Sequence, residues 1–156
     1  MNLRSSLLAV PFLLLAAACS STTASPGFEA ALPVVPGQSW EEARAALERL
    51  DPAAREAEGV GGRTTVARTP VTVAGVHFDQ VSIAGVASRP QVRSVKLSAP
   101  PPATGCDRVR EDLVHALGAG WSSGEPSLGA VTATKGTTRS ARIVCTGAEL
   151  SLSIVG

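Results

Sequence analysis

The chain has no tyrosine, and its 156 residues include only two tryptophans and three phenylalanines. So few rings leave no stacking platform for single-stranded nucleic acid and little with which to line a sugar cleft. Neither sign of charge is in excess. Arg4 is one of 14 basic side chains, and the others balance the 13 acidic ones. A neutral body lacks the electrostatic footprint of a nucleic-acid binder and the polybasic patch that recruits proteins to anionic membranes. His77 and His115 are the only histidines and there are three cysteines. A zinc site wants three or four clustered ligands, so neither a metal nor a cofactor is expected. No apolar run reaches the roughly 20 residues needed to span a bilayer.

What is present begins at the N-terminus. Arg4 provides a positive start, Leu7 to Ala18 an apolar stretch broken only by Pro11, and Leu15-Ala16-Ala17-Ala18 a small-residue approach to Cys19. This is the layout of a secretory signal. With cysteine at the cut it resembles a bacterial lipoprotein signal with its lipobox, although Ala16 stands where that motif usually has leucine. The resemblance implies cleavage of residues 1–18, diacylglycerol on the Cys19 thiol, and acylation, typically by palmitate, of the new amino group; the alternative is ordinary signal cleavage after Ala16 or Ala18. Multiple acyl chains make a stable anchor. In a diderm cell, Ser20 in place of aspartate after the lipidated cysteine implies the outer membrane, facing the periplasm.

With Cys19 lipidated, Cys106 and Cys145 remain in an oxidising compartment and are expected to form a disulfide, rather than standing as two separate buried thiols. A loop of about 40 residues closed in this way is worth about 4 kcal/mol in the chain-entropy treatment.

Residues 19–37 read as a flexible tether. Ser20 to Gly27 are small, polar and turn-rich, and Pro33, Pro36 and Gly37 continue the irregular stretch. Residues 38–156 then read as one domain. Ser39 and Glu42 form a capping-box pattern, followed by Trp40, Ala43, Leu47 and Leu50 at helical spacing. Asp51-Pro52 is expected to open a second short helix ending at Gly59 to Gly62. Strands are expected at Val71–Val73, Val76–Ala84 and Gln91–Leu97. A further helix opens at Thr104, with Cys106, Val109, Leu113, Ala116 and Leu117 on one face. Three strands complete the chain, over 128–135, 138–146 and 149–155, and Leu150, Leu152 and Ile154 alternate with polar neighbours. Helix-then-strands occurs twice, without a residue-by-residue match between the halves. The expected fold class is α+β, an antiparallel sheet with short helices packed on one face in two layers.

Chemistry-bearing motifs are few. Gly120-Trp121-Ser122-Ser123-Gly124 matches the G-x-S-x-G nucleophile elbow, but the elbow requires a strand before the serine and a helix after it. Here a helix precedes and Glu125-Pro126 follows. Gly59-Val60-Gly61-Gly62 fails the strand–loop–helix context of a phosphate loop. Thr134-Lys135-Gly136 reads as a hairpin turn. Asp107, Glu111 and Asp112 complement a helix dipole.

Pro36-Gly37-Gln38-Ser39-Trp40-Glu41-Glu42, Ala74-Gly75-Val76-His77-Phe78 and Val92-Arg93-Ser94-Val95-Lys96-Leu97 together resemble small envelope lipoproteins of the BamE-like and β-lactamase-inhibitor-like type. That resemblance covers residues 37–97 by pattern and implies a binding or assembly role without catalysis. The expectation is a non-enzymatic lipoprotein that binds or supports another envelope protein. The alternative is a periplasmic inhibitor of a hydrolase or lysozyme. On the strand at 91–97, Val95 and Leu97 are assigned to the core, and Val92, Ser94 and Lys96 to a contact face.

Overall fold

The structure is a computed structural model and describes residues 28–103 and 105–156. Cys19, the signal and the first part of the tether lie outside the described residues, as does Thr104. A 3-10 turn, Phe28–Ala31, leads to α1 (Trp40–Leu50). Then come β1 (Arg55–Gly59), β2 (Gly62–Ala67), the hairpin β3 (Val71–Val73) and β4 (Val76–Phe78), β5 (Gln80–Val86) and β6 (Ser94–Ala99). The second part is α2 (Cys106–Leu117), β7 (Ser122–Ser123), β8 (Ala130–Lys135), β9 (Arg139–Cys145) and β10 (Leu150–Val155). Mixed α and β content with an antiparallel sheet is as expected, but sheet dominates. Eight strands run in the order β1-β2-β5-β6-β10-β9-β8-β7, and β3-β4 form a separate pair.

That order reveals the repeat left open by the sequence. Each half is one helix followed by a four-stranded antiparallel meander, β1-β2-β5-β6 after α1 and β7-β8-β9-β10 after α2. The last strands of the two halves meet at the centre, antiparallel, with Leu97 opposite Leu152 and Val95 opposite Ile154. The β3-β4 hairpin is an insertion in the first half. The helices are fastened in corresponding ways. In the first half, Trp40 opens α1 and lies on Gly85 near the end of β5, where an added Cβ would come within 3.1 Å of the indole. In the second, Cys106 opens α2 and is bonded to Cys145 at the end of β9, with a Cα–Cα distance of 5.4 Å. One half uses an aromatic seat and the other the expected disulfide.

A single core joins the helices to the inner side of the sheet. Trp40, Ala43 and Leu47 of α1 and Val109, Leu113 and Leu117 of α2 pack with Ile83, Leu97, Ile143 and Leu152. Transfer of such side chains from water, about 1.5–3 kcal/mol each, is what stabilises the fold.

Several expectations are corrected. Residues 28–37 are not free tether. Phe28, Leu32 and Val34 are 6%, 9% and 1% exposed and belong to the core. Phe28 meets Trp121 edge-on at 6.1 Å between centroids, and Glu29 pairs with Arg139 at 2.6 Å. The 3-10 turn contacts α2 and β3, and β4 contacts β6, so this strap and the hairpin help to cover the central strands. The short helix expected after Asp51-Pro52 is a turn followed by edge strand β1, because cross-strand pairing from Arg55↔Val66 to Gly59↔Gly62 outweighs a locally helical composition. The expected strand 76–84 is divided at Asp79 into β4 and β5. Ser39 is the N-cap of α1, but its side chain makes no capping bond. The Trp40 amide instead donates to the Pro90 carbonyl at 2.6 Å. Gly105 is the N-cap of α2.

Candidate functional site

Strand alternation places the inner residues in the core and their neighbours on the other, open face of the sheet. The registers align these neighbours in rows across the sheet. One row runs Arg55, Val66, Ser82, Lys96, Ser153, Arg142 and Thr132, each opposite the next on the adjoining strand. The row beside it contains Thr64, Ala84, Ser94, Val155, Ser140 and Thr134. This face is therefore paved with short hydroxyl and aliphatic side chains. Almost no ring or long apolar chain rises from it.

Charge is concentrated at the centre. Lys96 donates to Glu149 at 2.9 Å, both side chains nearly half exposed. The hydrogen bond from Lys96 holds the Glu149 carboxyl below its ordinary pKa, helped by a bond from Ser151 and the positive charge of Lys96. Arg142 also lowers it, more remotely. Arg55, Lys96 and Arg142 against Glu149 leave this face with more cations than anions, on a chain that is otherwise balanced.

Two fully exposed aliphatic residues flank the face at corresponding turns. Val60 joins β1 to β2, and Leu128 precedes β8. Each is followed by a glycine in the left-handed region, Gly61 at φ 73° and Gly129 at φ 77°. Leu128 itself has φ 49°, a conformation unfavourable for a bulky side chain. Gly129 is required there, because a Cβ would come within 2.8 Å of Thr146. The sequence offers no periodic signal for these tips; only the glycines mark the turns.

Ser94 and Lys96 lie on the open face as expected. Val92 does not: it is 1% exposed, in the core. Its N–H bonds to the Gln38 carbonyl and its carbonyl accepts from Gly37, so Gln91 and Val92 pair with the strap before β6 begins. Alternation slips there, and both Val92 and Val95 face inward. Ser122 lies on the two-residue edge strand β7, opposite Thr134, with α2 before it; this is not the strand–turn–helix of an elbow. His77 Nδ1 is 2.8 Å from the Thr72 hydroxyl on the β3-β4 hairpin. His115 lies in the last turn of α2. Among the described residues no group of three or more His, Cys, Asp or Glu side chains could hold a metal ion. Comparison of the chain with protein-family models, with curated proteins and with solved structures finds no match.

Proposed function

We propose that this protein is a lipid-anchored, non-catalytic lipoprotein of the bacterial cell envelope, which binds or supports another envelope protein through the open face of its sheet. The domain is read as two-layered, with α1, α2, the strap and the β3-β4 hairpin on the inner side. The observation that carries the reading is the open face itself: Lys96, Thr132 and Arg142 are exposed along it, and of the outward residues of β10 only Ser151 is buried. Short side chains lose little rotamer entropy on contact, and a flat strand surface offers area to a partner of protein size.

The proposed anchor sets how far the domain can stand from the membrane. Cys19 and Phe28 are nine residues apart, so an anchor at Cys19 holds the domain within roughly 30 Å. In a diderm cell a domain anchored in this way would stand in the periplasm, within reach of other envelope proteins. Ser122, on an edge strand, is assigned no catalytic role.

The test is photo-crosslinking in cells, with a photoreactive residue at Ser94 or Ser153 on the open face and, for comparison, at Glu42 on α1. A discrete protein adduct from Ser94 and Ser153, absent from Glu42 and lost with Lys96→Glu, is expected. Identification of a membrane-complex component favours support of an assembly, and a soluble hydrolase or lysozyme favours inhibition. Adducts only from Glu42 would overturn the assignment of the face.

A further inference from the structure

Beside the start of α1, away from the centre of the open face, the segment from Ala87 to Arg93 forms a second feature. It is fixed along its length. The Ala87 amide donates to Gly61, Arg89 to Val86, and Arg93 to Ala84, while the Pro90 carbonyl accepts from Trp40. Arg63 adds a further clamp: its guanidinium stacks 4.3 Å from the Trp40 ring centre and donates to the Arg89 carbonyl at 2.7 Å. From this fixed segment the exposed side chains of Arg89 and Arg93 project, and both line a hollow of about 670 Å³ with Ser88, Gln91, Gly37 and Gly156. A smaller neighbouring hollow of about 320 Å³ shares Ser88 and Arg89 and adds Arg63 and Ser39.

The charge here is uncompensated. Arg63, Arg89 and Arg93 have no ion pair among the described residues, as is also true of Arg49, Arg55, Arg68, Lys135 and Arg142; what sets Arg89 and Arg93 apart is that they line one hollow together. No aspartate or glutamate side chain lines the larger hollow. Glu41 lines the smaller one but is engaged with Arg44 at 3.0 Å. Arg89 and Arg93 line one hollow that has no carboxylate in its lining, so an anion bound there is attracted by both positive charges. Guanidinium forks match phosphate oxygens two at a time. The Ser39 hydroxyl, making no capping bond, is a donor in the smaller hollow only. The larger hollow has room for much more than a carboxylate.

We propose that this hollow binds a phosphate ester, with Arg89 and Arg93 as the ligating forks and Arg63 as the positioning residue that holds the segment. A lipid headgroup and a soluble phosphate ester present the same chemistry. Both are tested on the full chain carrying Cys19→Ala, which lacks only the acyl-acceptor thiol. Calorimetry with glycerol 1-phosphate reads the soluble source. Co-sedimentation with phosphatidylglycerol–phosphatidylcholine vesicles, against phosphatidylcholine alone, reads the headgroup.

Binding of at least one anionic probe is expected, weakened about tenfold or more by Arg89→Gln with Arg93→Gln, since charge-assisted bonds of this kind are individually worth such a factor. Arg49→Gln with Lys135→Gln removes equal charge elsewhere and should leave binding unchanged. Arg89→Lys with Arg93→Lys keeps the charge and should retain only part of it. Binding of glycerol 1-phosphate alone assigns a soluble ester, and of vesicles alone a headgroup. Absence of binding to both probes, or equal loss in the two glutamine pairs, would overturn the proposal. Unchanged thermal unfolding of each variant shows that the readout is binding and not folding.

Discussion

Whether the folded body begins at residue 38 or at residue 28 can be decided by one substitution. Leu32 belongs to the strap and is 9% exposed within the core. Its truncation to alanine removes apolar burial and leaves a cavity against neighbours that can only partly collapse, a combination that costs about 2–5 kcal/mol at buried leucines. Phe28→Ala should cost about 3–5 kcal/mol, including the loss of the edge-on contact with Trp121, a geometry worth about 0.5–1.5 kcal/mol beyond buried area. Urea unfolding can be followed by the fluorescence of Trp40 and Trp121. With a slope of about 1–3 kcal/mol per molar urea, Leu32→Ala should lower the midpoint by roughly 1 M or more. The two tryptophans lie in different halves, so coincidence of fluorescence with far-ultraviolet circular dichroism tests whether the strap unfolds together with the rest. If residues 28–37 were a free tether, the change would stay within about 0.5 kcal/mol, as for surface sites. That result would refute the assignment of the strap to the core.

Three further outcomes follow from the same structure. Val92→Asp should abolish stable folding by placing a carboxylate without a partner in the core, whereas Ser94→Asp on the open face should fold; circular dichroism of the two proteins distinguishes them. Replacing Cys106 and Cys145 together by alanine should cost about 2–5 kcal/mol, read by urea unfolding, with α2 the first element to lose protection in hydrogen exchange. Glu149 has a lowered pKa in the folded protein, chiefly through the bond from Lys96. Its contribution is therefore fully present above the ordinary glutamate range and lost as pH falls through the lowered folded value. Stability measured from neutral to acid pH should fall less steeply in Glu149→Gln than in the parent; an identical slope would contradict the role of the pair.

Much of the local architecture is legible in the residues themselves. Trp40, Ala43 and Leu47, and Val109, Leu113 and Leu117, recur at helical spacing, and both sets are buried on their helices. Leu150, Leu152 and Ile154 alternate as a strand must when one side meets a core, and all three are buried. Cys106 and Cys145 occupy apolar positions on a helix and a strand, and they are bonded. For the helices and the strand the information is carried by neighbours within a few residues, so periodicity is sufficient; the disulfide, 39 positions apart, follows instead from two cysteines left to pair in an oxidising compartment.

What the tertiary structure decided depends on residues far apart in the chain. Arg55 to Gly59 have no intrinsic reason to be extended; β2 makes them a strand. The apolar residues of 28–34 are too few and too broken by Pro33 to announce an element, and only the contacts of their turn with α2 and β3 give them a place. Val92 follows the alternation of its own strand on paper, but pairing with Gln38 and Gly37 turns it inward. The antiparallel meeting of β6 and β10, which makes two helix-and-meander halves into one sheet, has no local signature. The same is true of Lys96 and Glu149, 53 positions apart, and of the rows that form the open face. Periodicity states which side of each element is apolar. Only long-range pairing states which sides are joined and which one remains open.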